Sequence, residues 1–207
     1  MIELIGNIIQ MIVISGCLIV VIYETRNDRS RIGLLYALFL TSMLLGDIWW
    51  ILELLLYDET PYSLVPYLNW KAAYVFLILM MQQDKKVSVY RNPASRYLWG
   101  SVLFCALMCV YYMQFGAYID NVLTAVLMSI LIWIPLQRLT EIRKNGETDA
   151  KDGMLCRMVL LFCTTEYIMW TASCFDSSVR VLYDVFNFVL TACFILFIPA
   201  VRKAVGR

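Results

Sequence analysis

Residues 4–31 read LIGNIIQMIVISGCLIVVIYETRNDRSR. The first twenty of them, residues 4–23, carry no charged side chain, and about 20 mainly apolar residues allow an α-helix to cross the hydrocarbon core of a bilayer. The basic residues follow this apolar run, and no small-residue cleavage site ends it, so we do not expect a signal peptide. The stretch therefore predicts a transmembrane helix that keeps its N-terminus outside the cell.

Six more apolar stretches of similar length follow, at 33–56, 63–82, 97–115, 118–137, 155–173 and 180–201. The 207 residues are 61% hydrophobic and only 16% charged, which is more apolar surface than a soluble domain can hide. The predicted fold class is all-α: a polytopic bundle of seven transmembrane helices, forming one domain over residues 1–207. The fifth stretch is the least clear, because Asp120 and Asn121 lie at its start. The lipid bilayer of the cell membrane is the expected surrounding.

The placement of basic residues predicts the orientation of the bundle. The segments that follow the first, third, fifth and seventh stretches hold, with their flanks, 15 of the 17 Lys and Arg residues. The other connecting segments are acidic and carry Arg180 as their single basic residue. Because positively charged segments stay in the cytoplasm, the sequence predicts an outer N-terminus and a cytoplasmic C-terminus. An even number of spans would break this alternation.

The second and third stretches resemble the sixth and seventh. Asp47 begins DIWW and Glu166 begins EYIMW, while Asn69 opens NWKAAYVFLIL and Asn187 opens NFVLTACFILF. The acid precedes the asparagine by 22 residues in one pair and by 21 in the other. A parallel 3+1+3 duplication, as in the SWEET architecture of sugar transporters, predicts this pattern. Its two repeats and its linker helix would be residues 1–82, 118–201 and 97–115. Coincidence between two apolar hairpins is the alternative.

Several polar residues interrupt the outer halves of the predicted spans. An ionisable group at the bilayer centre costs about 3 kcal/mol or more, so such groups usually face protein or water. Counted at about 1.5 Å per residue, Asp47 lies roughly 15 Å below the outer end of its span, Lys71 roughly 12 Å and Glu166 roughly 10 Å. These depths favour a polar cavity that opens outward between spans two, three, six and seven. The alternative is that the polar groups only hold helices together.

The predicted ligand-binding residues are Asp47, Asn69, Lys71, Glu166, Asp184, Asn187, Trp50 and Trp170. Lys71 is the only cation among them, and we expect it to pair with Asp47 or Glu166. Since burial away from water favours the uncharged form of a carboxyl, one acid is expected to stay protonated. The surplus of acids favours a small polar or cationic ligand, or a coupling proton. For each tryptophan, packing or anchoring at the membrane surface is the alternative.

The sequence lacks the residues that several common catalytic, metal and cofactor sites require. There is no histidine, which removes the commonest general base and most zinc sites. The sequence has no phosphate-binding glycine loop, no CxxC pair and no nucleophile elbow, and the seventh stretch has no lysine that retinal would need. The net charge is +1, which does not indicate nucleic acid binding. We therefore expect no enzyme activity, no cofactor, no metal site and no nucleic acid partner.

Residues 44–81 read LLGDIWWILELLLYDETPYSLVPYLNWKAAYVFLILMM. They resemble the hairpin of helices two and three in bacterial seven-helix sensor modules, which form the N-terminal receptor part of some histidine kinases. The resemblance covers under a fifth of the chain and implies a ligand-sensing receptor. The sequence departs from that family because only six residues follow Val201, with no output domain. In composition the chain is also similar to small seven-helix membrane proteins of Firmicutes, which implies no function.

Three functions fit these observations. A small-solute transporter would use the repeat and the polar cavity, with a solute bound between the two repeats. A sensor would use the same cavity as a receptor pocket and signal through a separate cytoplasmic partner at residues 140–153, which otherwise form a solvated flexible connector. A structural or accessory subunit would use the acids only to hold its helices together.

Overall fold

The computed structural model describes residues 2–28, 30–57, 64–83, 96–144, 151–175 and 180–205. Within these ranges the chain forms seven α-helices and a short 3-10 helix, Met113–Phe115. The α-helices are α1 (Ile2–Asp28), α2 (Arg31–Leu56), α3 (Leu64–Gln82), α4 (Arg96–Tyr112), α5 (Tyr118–Lys144), α6 (Lys151–Ser173) and α7 (Arg180–Val205). All seven are long and apolar enough to cross a membrane, so the prediction of an all-α, seven-helix membrane protein is confirmed.

Several helices are longer than the predicted spans at one end of the bundle, the end that lies opposite the N-terminus of α1. At this end α1 continues to Asp28 and α5 to Lys144, and α6 already begins at Lys151. The predicted connector at 140–153 is therefore helical at both ends, and only residues 145–150 lie outside the described ranges. Apolar length predicts how much of a helix crosses the hydrocarbon, but a helix can continue into water where its residues favour it.

Hydroxyl groups inside the spans are satisfied without disturbing the helices. Thr41 and Thr124 each donate to the carbonyl four residues earlier, at 2.8 Å. Such local bonds satisfy polar side chains where no water is present. At the start of α2, the Ser30 side chain accepts a hydrogen bond from the Gly33 backbone N–H, which satisfies one of the free donors of the first turn.

Six of the helices pack in a closed ring, in the order α1, α2, α3, α5, α6, α7 and back to α1. Helix α4 packs against α5, on the outside of this ring, and α2 also contacts α7 across it. The ring therefore consists of two three-helix halves, α1–α3 and α5–α7. The halves meet at two seams, one between α3 and α5 and the other between α1 and α7.

An aromatic cluster fills the core of the ring. Its members are fully buried, with contacting ring centroids between 5.6 and 6.3 Å apart, and they are Tyr36, Phe39, Phe162, Phe194 and Phe197. Offset and edge-to-face contacts of this kind stabilise aromatic pairs. The Tyr36 hydroxyl donates to the Phe194 carbonyl at 2.7 Å and so ties α2 to α7. Nearer the ends of α1 and α7, Arg202 forms an ion pair with Glu24.

Candidate functional site

A buried ion pair joins α3 to α5. Lys71 Nζ lies 3.1 Å from Asp120 Oδ1, and the two side chains are only 7% and 6% exposed. The sequence led us to expect Asp47 or Glu166 as the partner of Lys71, and the structure pairs it with Asp120 instead. Asp120, which the sequence places at the start of the fifth predicted span, lies in the first turn of α5. An acid at the start of an apolar run is the signal for this position, because the helix dipole favours negative charge there.

Three aromatic rings surround the Lys71 ammonium. Its Nζ atom lies 4.7 Å from the ring centroid of Trp170, 5.4 Å from that of Tyr74 and 5.8 Å from that of Tyr67. An ammonium within about 6 Å of a ring face is attracted by the ring quadrupole. Trp170 belongs to α6 and the two tyrosines to α3. The aromatic side chains therefore reach Lys71 from both halves of the helix bundle.

Glu166 places a second carboxyl group beside Lys71. Its side chain is buried, hydrogen-bonds with the side chains of Tyr74 and Trp170, and attracts the Lys71 ammonium. The ammonium therefore has carboxylates from α5 and α6 and ring faces from α3 and α6. We call Tyr67, Tyr74, Trp170, Asp120 and Glu166 the ammonium cage.

Asp47 is buried on the other side of α3. Gln10 Nε2 donates to its Oδ2 at 3.1 Å, and Trp70 Nε1 donates to its Oδ1 at 3.3 Å. The carboxyl group thus links α1, α2 and α3. Gly46 makes room for this arrangement, because a Cβ atom at that position would lie 2.4 Å from Trp70 Nε1.

A chain of hydrogen bonds leads from Asp47 to α7. Gln10, which donates to Asp47, lies with its Oε1 atom 3.3 Å from Thr191 Oγ1, whose single proton is shared between Gln10 and the Asn187 carbonyl at 2.9 Å. Asn187 Nδ2 donates to Asn7 Oδ1 at 3.3 Å, and both asparagines are buried. Sequence analysis did not single out Asn7, Gln10 or Thr191. The signal was present for the first two, since polar residues three apart lie on one face of an apolar helix.

The two groups of polar residues lie close together. The Asp47 and Glu166 carboxyl groups are near enough to interact electrostatically. The Tyr183 hydroxyl interacts electrostatically with four carboxyl groups, those of Glu3, Asp47, Glu166 and Asp184. We call the whole set the polar layer: the ammonium cage, Lys71, Asn7, Gln10, Asp47, Trp70, Tyr183, Asn187 and Thr191. It lies toward the end of the bundle that holds the N-terminus of α1.

The remaining predicted ligand-binding residues are less enclosed. Asn69 Nδ2 donates to the Val65 carbonyl of its own helix at 2.9 Å, in an exposed position, so it is not equivalent to the buried Asn187. Asp184 is partly exposed. Trp50 is half-buried, with its ring centroid 5.8 Å from that of Trp70. Together these residues surround the polar layer rather than form its contacts.

A cavity of about 330 Å³ lies apart from the polar layer. It is mainly apolar, is formed by α4, α5, α6 and the start of α7, and includes Phe104, Met108, Ile132, Tyr167, Phe175 and Leu182. None of the eight predicted ligand-binding residues lines it. The polar side chains are held by the hydrogen bonds and the ion pair described above, so a ligand that binds between these partners must displace an existing contact.

The polar layer contains three buried carboxyl groups, Asp47, Asp120 and Glu166, and one buried ammonium. Across the described ranges, no three His, Cys, Asp or Glu side chains are grouped as ligands for a metal ion. The carboxyl and ammonium groups can exchange protons, and Gln10, Asn7 and Asn187 can form hydrogen bonds.

Comparison with protein-family models, with curated proteins and with solved structures finds no match to this chain. The function is therefore argued from the geometry of the polar layer. Its polar contacts occur at the α3–α5 and α1–α7 seams, and an ammonium and carboxyl groups meet at the first of them.

Proposed function

We propose that this chain is a transporter for a small polar or cationic solute in the cell membrane, with the polar layer as its binding site. The observation that carries this proposal is the location of the polar contacts. The Lys71–Asp120 pair bridges the α3–α5 seam, and the contacts of Gln10 with Thr191 and of Asn7 with Asn187 bridge the α1–α7 seam. Both seams between the halves are therefore held by polar contacts in this layer.

Seams of this composition suit a solute pathway. A transporter must separate its two halves around a bound solute without exposing unsatisfied groups to lipid. The side chains at the seams can exchange their present partners for water or for polar atoms of a solute. Farther along the bundle axis, away from the N-terminus of α1, the aromatic cluster packs α2, α6 and α7 together. In the proposed mechanism, the halves open at the polar layer while the aromatic cluster stays closed.

The packing of the ring supports an internal two-fold repeat. If α1, α2 and α3 are exchanged for α5, α6 and α7, each neighbouring pair in the ring becomes another neighbouring pair, and each seam becomes the other, whereas the α2–α7 contact across the ring has no counterpart of similar extent between α6 and α3. Helix α4 lies outside the ring, as a linker would. The proposal therefore keeps the parallel 3+1+3 duplication, with an outer N-terminus and a cytoplasmic C-terminus argued from the basic residues.

Asp47 and Glu166 occupy corresponding helices in this scheme, and we assign them the same task. Each would contact the solute or carry the coupling proton, since a carboxyl group away from water changes its protonation readily when a nearby charge moves. Asn187 would hydrogen-bond the solute. Asn69 has to give up its bond to the Val65 carbonyl before it takes the matching role.

The test is flux in proteoliposomes that contain the purified protein and a pH-sensitive dye. Wild type should move protons in response to a gradient of its solute, and D47N or E166Q should lower that flux at least about tenfold, since each removes a charge and a proton site at nearly constant shape. E141Q, which changes an acid outside the polar layer, is the matched control and should keep full flux. A panel of amines, sugars and amino acids without any flux that depends on Asp47 and Glu166 would reject the transporter.

A sensor is the second candidate, and α5 is the observation that favours it. Asp120 lies in the first turn of α5, and the same helix continues 24 residues farther to Lys144, which is about 36 Å along the axis. A shift of Asp120 would therefore move the end that joins residues 145–150, which belong to the predicted partner site at 140–153. The resemblance of residues 44–81 to sensor modules points the same way.

Crosslinking at Lys144 separates the candidates. A sensor predicts that the crosslink captures a cytoplasmic protein and that substitution of Asp120 changes the amount captured. The comparison requires a strain in which D47N and wild type are equally abundant. If D47N lowers abundance and alters neither flux nor capture, the acids serve assembly, and the chain is a structural subunit.

A further inference from the structure

We propose that the ammonium cage is the binding site for a small quaternary ammonium ion and that Lys71 occupies it as a tethered substitute. This inference rests on the proposed transport function and names the class of solute. It is argued from three observations: the distances of the rings, the hydrogen bonding of Nζ, and the balance of charge in the polar layer.

The rings hold a cation at the distances that quaternary ammonium recognition requires. Aromatic faces bind methylated ammonium groups when the nitrogen lies within about 6 Å of the ring centroids, and Nζ lies 4.7 to 5.8 Å from three centroids. The rings come from α3 and α6, so they surround the nitrogen from two sides. Asp120 adds a carboxylate at 3.1 Å, and the Glu166 carboxyl group of α6 lies near enough to attract the cation when it is ionised.

The primary ammonium of Lys71 fits this cage incompletely. It carries three N–H donors, and among the residues that the structure describes Asp120 Oδ1, at 3.1 Å and with an unfavourable angle, accepts at most one of them. A buried donor without an acceptor is unfavourable, the more so when it is charged. A quaternary ammonium has no N–H group, so ring faces and carboxylates satisfy it fully. The cage therefore suits a methylated cation better than it suits its present occupant.

Charge explains why a tethered cation stays in the cage. Asp47, Asp120 and Glu166 would repel one another in a medium of low dielectric if no cation were present. The flexible four-carbon stem of lysine lets the ammonium move toward water while its apolar part stays buried. In the loaded state the solute replaces Lys71 between the rings, and after release Lys71 returns. One cation then faces the acids in both states, and the empty site stays closed to other ions.

Binding of radiolabelled tetramethylammonium to the full chain in lipid nanodiscs tests the inference. This ion is permanently charged, so it has no neutral form that dissolves in the bilayer. We expect K71A to bind it at least about tenfold more tightly than wild type, because the competing cation is gone, and W170L to weaken binding about tenfold in either background. W99L, which removes an exposed tryptophan of α4, is the matched control and should leave binding unchanged. The neutral compound tert-butanol, which has a similar shape, should not compete.

Equal affinity of wild type and K71A would overturn the inference. So would binding that W170L does not weaken, or that tert-butanol abolishes. If K71A does not fold, the comparison of wild type with W170L decides the question: saturable binding of tetramethylammonium that depends on Trp170 supports the cage, and its absence rejects it.

Flux measurements keep this inference separate from the proposed function. Binding that depends on the cage, without any flux, supports the ammonium site and rejects the transporter. Flux of a neutral solute that depends on Asp47 and Glu166, without tetramethylammonium binding, rejects the ammonium site and keeps the transporter.

Discussion

Lys71 on α3 and Asp120 on α5 form an ion pair at 3.1 Å that is almost completely shielded from solvent. Removal of one member of a buried pair costs about 3 to 5 kcal/mol when the other charge is left uncompensated, and less when a second carboxyl group, here Glu166, still attracts the Lys71 ammonium. We therefore expect D120L to lower the free energy of unfolding. The double variant K71M/D120L should recover most of that loss, since neither charge remains. Thermal unfolding in nanodiscs measures both, and losses that simply add in the double variant would contradict a direct coupling.

The Glu24–Arg202 pair between α1 and α7 provides the comparison. Its side chains are 25% and 47% exposed, so water screens the charges and E24Q should cost less than about 1 kcal/mol. The same unfolding assay applies. A loss in E24Q as large as that in D120L would mean that burial is not what makes the Lys71–Asp120 pair important.

The spans could be predicted from the sequence because the length of an apolar stretch is a local property. The partner of Lys71 could not. Asp120 borders a span in sequence, and it reaches Lys71 only because α5 packs against α3 with its first turn facing inward. Packing between distant helices depends on the rotation of each helix about its axis, which hydropathy does not specify.

The two asparagines illustrate the same limit. Asn69 and Asn187 follow their acids at nearly equal spacing, which predicts equivalent roles. In the structure Asn187 faces α1 and bonds to Asn7, whereas Asn69 bonds to its own helix. Gly6 allows the closer approach, since a Cβ atom there would lie 3.0 Å from Asn187 Nδ2. The difference arises from contact with α1, which the comparison of two hairpins left out.

G46A should disturb the environment of Asp47 directly. The added methyl group would lie 2.4 Å from Trp70 Nε1, so the indole must move and its hydrogen bond to Asp47 weakens. Overpacking of this kind costs about 1 to 3 kcal/mol, and flux or ligand binding should fall with it. G16A is the matched control in α1, where a Cβ atom meets nothing within 4 Å; alanine there should be neutral or stabilise the helix slightly. Equal unfolding temperatures for the two variants would contradict close packing at Gly46.

T191V should weaken the α1–α7 seam while keeping the shape of the side chain. The Thr191 hydroxyl shares its proton between Gln10 Oε1 at 3.3 Å and the Asn187 carbonyl of its own helix at 2.9 Å, and Gln10 in turn donates to Asp47. Hydrogen bonds between transmembrane helices contribute about 0.6 kcal/mol on average and up to about 1.7, so we expect a small loss of stability with a clear loss of flux. T164V is the control, because Thr164 bonds only to its own helix at Leu160. A flux in T191V equal to that of T164V would remove this bond from the transport pathway.

Cys174 offers a direct test of the predicted orientation. It is partly exposed after the end of α6, whereas the other six cysteines are buried, so a membrane-impermeant maleimide should react mainly with Cys174. With an outer N-terminus, this residue faces the outside, and intact cells should be labelled while cells that express C174S should not. K144C in the C174S background places a cysteine at the opposite end of the bundle, on an exposed position of α5, and should react only after the cells are permeabilised. Labelling of K144C in intact cells, together with unlabelled Cys174 in intact wild-type cells, would reverse the orientation and place the polar layer on the cytoplasmic side.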